Sequence, residues 1–107
     1  MKFAYSSFAY RKHSLEDTLA RIAKLGYSGV EIQADRPHLF PEDYSKTDLI
    51  RIKEILKKNN LELANINAFT LCAIQDMHHP SWIEQDLKKR EYRINHTIEC
   101  IKFAEIL

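Results

Sequence analysis

Glu31, Gln33 and Asp35 alternate with Val30, Ile32 and Ala34, and the run continues into Arg36, Pro37 and His38. In an extended strand this alternation gathers the aliphatic side chains on one face and the two carboxylates and the amide on the other. A carboxylate on the inward side of a sheet is costly unless it is paired. Glu31 therefore reads in one of two ways. It orients a ligand hydroxyl or backs a metal ligand, or it is satisfied by a basic or amide neighbour. His38, just past the strand, is placed to donate to a substrate oxygen or phosphate, or to move a proton near neutral pH. The alternative is a solvated loop histidine. Arg36 can grip a phosphate or carboxylate, or close a structural ion pair with Asp35. Asn65 and Asn67, two residues apart, offer neutral groups suited to hydroxyls, and Asn67 lies nearer the end of its strand. The alternative for both is a hydrogen-bonded core amide.

Other polar and aromatic residues carry less. His78 and His79 are adjacent, so in extended backbone their rings point apart, and no third ligand stands at recognisable spacing. They read as part of a loop over the strand ends, and no metal ligand is assigned to this chain. Trp82 is a packing anchor, or a flat apolar wall for a sugar ring. His13 and His96 read as structural.

Three strands and three helices position these residues. Residues 2–8 have strand propensity. Ser14, with Asp17 three positions on, opens a helix whose apolar stripe is Leu15, Leu19, Ile22 and Ala23, and Gly26 suits its left-handed C-terminal cap. The strand at 29–34 follows. After a loop holding Pro37 and Pro41, Ser45 or Thr47 caps a second helix with Leu49, Ile52, Ile55 and Leu56 inward, ended by Asn59 and Asn60. Residues 61–69 form a third strand, with Ala64, Ile66 and Ala68 on one face and Asn65 and Asn67 on the other. Ser81 and Glu84 have capping-box spacing and predict the start of a long third helix. Its apolar face is expected to be Ile94, Thr97, Ile98, Ile101 and Ala104.

The order is thus βαβαβα with a period near 30 residues, an α/β fold with parallel strands. The first βα turn has no glycine where a dinucleotide-binding unit needs G-x-G-x-x-G. Polar inner faces fit a barrel interior that opens at the strands' C-terminal ends, so the expected architecture is the N-terminal portion of a TIM (β/α)8 barrel.

Composition narrows the function. With 107 residues, one domain spans 1–107, and 16 basic residues stand against 15 acidic ones. A dedicated nucleic-acid binder would show a basic surplus. No apolar run nears the roughly 18 residues of a membrane span, and no signal peptide is visible. Cys72 and Cys100 belong to no CxxC and read as reduced packing cysteines. The expected location is the cytoplasm.

The segments Leu25-Gly26-Tyr27 into Gly29-Val30-Glu31-Ile32, Asp35-Arg36-Pro37-His38, Asn65-Ile66-Asn67-Ala68-Phe69 and His79-Pro80-Ser81-Trp82-Ile83-Glu84 resemble xylose isomerase-like TIM barrels. The likeness is to the sugar phosphate isomerase and epimerase branch. It implies a substrate that is a small sugar or sugar phosphate, held here by Glu31, Arg36, His38 and Asn67. It also implies metal-dependent proton transfer through an enediolate, in carbohydrate metabolism. The whole barrel would hold a divalent metal (Mn, Mg, Co or Zn) on two Glu, an Asp and a His from later strands. A barrel of this type has eight units and typically ~250 residues, so the chain is expected to be an incomplete barrel that binds no metal tightly alone and is catalytically silent. The alternative is a non-catalytic truncated product or interaction module, which self-associates or takes a complementing fragment. A third reading, an endonuclease IV-like abasic-site nuclease, is disfavoured by Asn67-Ala68-Phe69-Thr70, where that branch carries a metal-binding histidine.

Overall fold

At Gly29, the first residue of the central strand, the neighbouring strands come close: a Cβ there would stand 3.1 Å from the Ala4 Cβ and 3.4 Å from the Glu62 carbonyl oxygen, so a larger residue would need the Ala4 side to give way by a few tenths of an ångström. In the computed structural model, which describes all 107 residues, three parallel strands form one sheet in sequence order. They are β1 (Ala4–Ser6), β2 (Gly29–Gln33) and β3 (Glu62–Asn67). Each is followed by a helix: α1 (Leu15–Lys24), α2 (Lys46–Lys58) and α3 (Leu87–Ile106). This is the βαβαβα order the periodicity predicts.

The helix boundaries follow local chemistry. Ser14 Oγ accepts from the Asp17 N–H, while the Asp17 carboxylate turns to Arg21 at 2.8 Å instead of closing a box. Gly26 takes the left-handed conformation, with φ 89°. At α2 the box is complete: Ser45 and Asp48 each satisfy the other's backbone N–H. Asn60 then adopts φ 53°, the left-handed stop that asparagine tolerates.

The third unit departs from expectation twice. The Ser81 N–H does donate to Glu84, but this closes only a turn. The helix starts at Leu87, because the Asp86 carboxylate takes the N–H groups of both Lys88 and Lys89 and so makes the stronger N-terminus. The buried face of α3 is also not the aliphatic one. Arg93, His96, Cys100 and Phe103 are buried, whereas Ile94, Ile98 and Ile101 are exposed. The helix packs on α2, the turn at Pro41–Asp43 and the end of β3, and there the polar residues find partners.

The core lies between sheet and helices, with Leu19, Ile22, Val30, Ile32, Leu49 and Ile52 at its centre. A bulge between the partners of Val30 and Glu31 shifts the register of β3 by one residue. It places Leu63 opposite Val30 and Ile66 opposite Ile32, so both reach the core while Asn65 and Asn67 face away from it. Strict alternation would have put Leu63 on the asparagine side. No helix is long and apolar enough to cross a membrane.

His96 packs against Phe40 with ring centroids 6.0 Å apart. Burial first, and the Arg93 charge second, push its pKa from 6.5 down to about 4. The folded chain thus keeps His96 neutral, whereas the unfolded chain gains a proton there below pH 6.5. This contribution is complete above that pH and is lost as pH falls toward the folded value; buried His38, also depressed, adds to it. The urea midpoint should therefore fall on acidification from pH 6.5 toward pH 4, less steeply in His96→Phe. A midpoint flat over that range in the native chain contradicts this assignment.

Candidate functional site

The face of the sheet turned away from the helices is small and polar. Ser6 pairs with Glu31 across β1 and β2, and Glu31 pairs with Asn65 across β2 and β3. Glu31 is the hub. Its Oε1 accepts from the Ser6 hydroxyl at 2.8 Å and the Asn67 amide at 3.2 Å, and its Oε2 accepts from the Asn65 amide at 2.8 Å. Burial raises the carboxyl pKa, but the hydrogen bonds from Asn65, Ser6 and Asn67 together outweigh it and hold the group below its ordinary value. Glu31 is therefore an ionised carboxylate at neutral pH, satisfied by amides as one of its two readings required. Of its roughly four acceptor positions, three are taken. One on Oε2 is free.

The neighbours are similarly part-used. Asn67 Oδ1 accepts from the Phe69 N–H, which fixes the amide and leaves its second N–H free. The exposed Asn65 keeps its carbonyl oxygen. An acceptor, a donor and a second acceptor side by side match hydroxyl groups, which both give and receive hydrogen bonds. They do not match a cation. Only one carboxylate is present, three donors already hold it, and no three His, Cys, Asp or Glu side chains converge anywhere in the chain. These residues do not form a metal site by themselves; the ligands that the resemblance implies belong to later strands.

The other two expected binding residues lie elsewhere. Arg36 forms a two-point pair with Asp43 at 2.7 and 2.8 Å, not with Asp35, and its guanidinium stacks over Phe40. His38 is not solvated. It is buried, with Nε2 3.2 Å from the His13 carbonyl oxygen and 3.4 Å from Thr18 Oγ1. Thr18 spends its own proton on the Ser14 carbonyl, so Nε2 carries the imidazole hydrogen and Nδ1 is a buried acceptor with no partner. The structure thus brings Glu31 and Asn67 together and sends Arg36 and His38 to other contacts.

The loop after β3 is held over the strand ends by two buried charges. Asp35 accepts from the backbone N–H groups of Arg36, Cys72 and Ala73 and from the Thr70 hydroxyl, at 2.7–2.9 Å. Thr70 in turn is bonded by the Gln33 amide. From the other side, Arg93 donates to the carbonyl oxygens of Pro80, Ala68 and Phe69 at 2.7, 2.6 and 2.8 Å. Asp35 was legible as an inward carboxylate, but its long-range partners were not. Arg93 had a weaker signal, the spacing i, i+3, i+7, i+10 with His96, Cys100 and Phe103. Ser6 had none beyond its place at the end of β1.

Helices outside, a polar inner face, and a loop over the C-terminal ends of parallel strands define one sector of a (β/α)8 barrel. Within that class the chain belongs to the xylose isomerase-like TIM barrel family, which it matches over residues 19–107. Neither a curated protein nor a solved structure gives a match.

Proposed function

We propose that the inner face of β1–β3 is one wall of a binding site for a small sugar or sugar phosphate, in a barrel of the isomerase and epimerase type. The observation that carries this reading is the Glu31 carboxylate, ionised, fixed by Ser6, Asn65 and Asn67, and left with one free acceptor position beside the free groups of both asparagines. A hydroxyl donating to Glu31 Oε2 can accept from Asn67, so a polyhydroxylated ring gains two bonds in a fixed geometry. The reaction class that suits such a substrate is proton transfer beside a carbonyl. This chain's part is to bind and orient; its residues do not assemble a metal site or an acid–base pair. Of the four residues expected from the sequence, Glu31 and Asn67 carry the proposal, and Asn65 joins them.

Saturation-transfer NMR on the purified chain tests it with aldoses, ketoses, their phosphates and a duplex bearing an abasic site. Sugars or sugar phosphates should bind weakly, and Glu31→Gln should weaken binding roughly tenfold or more, the worth of one charged hydrogen bond. Binding to the duplex alone, or equal sugar binding by Glu31→Gln, would overturn the reading.

A further inference from the structure

Gln33 ends β2 on the face that carries Glu31, and its register partner across the sheet is Asn67. It is buried and fixed at three points. Its N–H donates to the Ser7 hydroxyl at 2.9 Å, its backbone carbonyl accepts from the Leu39 N–H at 3.0 Å, and its amide Nε2 donates to Thr70 Oγ1. Chemistry settles the direction of the last bond. Both Asp35 oxygens already accept backbone N–H groups, so the single proton of the Thr70 hydroxyl goes to Asp35 Oδ2. Thr70 Oγ1 must therefore accept from Gln33, which puts the amide NH2 toward Thr70 and leaves Oε1 to face another way.

No donor in the chain reaches Oε1. A buried carbonyl oxygen without a donor is unfavourable, and Thr70 does not depend on the amide, because its own proton already goes to Asp35. A methionine would fill the same space with no orphaned atom. Gln33 is thus a poor structural element, but it is a rigidly held acceptor beside the polar wall. The other buried atom without a partner, His38 Nδ1, belongs to a ring turned to Thr18 of α1 and to His13, off that face. Gln33 and Glu31 stand two residues apart, about 6.6 Å along the strand. Asn67 is bonded to Glu31 and in register with Gln33.

We propose that Gln33 is a specificity-determining residue of the sugar site, its Oε1 accepting from a second ligand hydroxyl further along the carbon chain than the one bonded to Glu31. This rests on the reading of Glu31, Asn65 and Asn67 as a sugar-binding wall. Two acceptors, one of them charged, reject phosphate oxygens. The wall therefore takes the hydroxyl-bearing stretch of the ligand, and a phosphate group, where the ligand has one, lies away from it. Oε1 is out of contact with solvent, so the hydroxyl reaches it as residues 68–70 shift. That segment is tied to Asn67 and Gln33 through the Phe69 N–H and the Thr70 hydroxyl.

The test titrates the 107-residue chain with aldoses, ketoses, their phosphates and their monodeoxy derivatives, comparing the native sequence with Gln33→Met and Glu31→Gln. Gln33→Met should weaken binding of the parent sugars about tenfold, the worth of one hydrogen bond, with a urea midpoint no lower than the native one. A merely structural glutamine would not give that combination. One deoxy position should bind the native chain about tenfold more weakly than its parent, and Gln33→Met should weaken that deoxy sugar no further. The factor lost should be the same for a sugar and its phosphate. On the native chain the Gln33 side-chain amide resonances should shift as sugar is added. Binding that Glu31→Gln weakens and Gln33→Met leaves intact would overturn this proposal alone. So would a native Gln33 amide unmoved by bound sugar, a result that stands even where Gln33→Met folds poorly. A native chain that binds no sugar would overturn the wall and the role of Gln33 together.

Discussion

Replacing Arg93 by Met is expected to lower folding stability by about 3 kcal/mol, because three carbonyl oxygens lose their donor at once. The methionine fills most of the space without supplying a hydrogen bond. Burial already depresses the pKa of this guanidinium, opposed by the Asp35 charge, yet an arginine keeps its proton in proteins. The cation is therefore compensated mainly by carbonyl dipoles. Small domains have only about 5–15 kcal/mol in total, so the variant should show a large drop in urea midpoint and early cleavage between residues 68 and 80 in limited proteolysis. Arg93→Lys should recover little, since one ammonium cannot span three carbonyls that a planar fork reaches. An unchanged midpoint in Arg93→Met would contradict the role given to this residue.

Asp35→Ala is expected to have a comparable effect, about 2–4 kcal/mol, through the opposite charge. It removes the acceptor for three backbone N–H groups and the Thr70 hydroxyl, and a buried N–H without a partner is costly. Asp35→Asn should be milder, as one oxygen remains to accept. The two substitutions act on one loop from its two sides, so their combined cost should fall short of the sum. Urea unfolding of both single variants and the double variant measures this directly. Full additivity would mean that Asp35 and Arg93 hold independent segments.

Much of this architecture was visible in local sequence chemistry. Ser14, Ser45, Gly26 and Asn60 mark helix ends because caps and left-handed stops depend on residues a few positions apart. The alternation at Val30–Asp35 exposed the inner face for the same reason. What stayed hidden depends on distant residues. The bulge in β3 moves Leu63 across the sheet, and no pattern within 61–69 announces it. The pairing of Arg36 with Asp43 instead of Asp35 follows from the turn at Pro41–Asp43. His38 is drawn beneath the loop toward α1, although its neighbour Pro37 suggested an exposed position. For α3, aliphatic periodicity indicated a face that is apolar but unburied.

The central claim is that Glu31, Asn65 and Asn67 together form a sugar-binding wall. The most direct measurement is a protein-observed ¹H–¹⁵N titration that follows the two asparagine side-chain amides as a sugar or sugar phosphate is added. The predicted result is a saturable shift of both amides, lost in Glu31→Gln, with the backbone of the 68–80 loop moving second. A titration in which bound sugar shifts resonances elsewhere and leaves both side-chain amides unmoved would contradict the account.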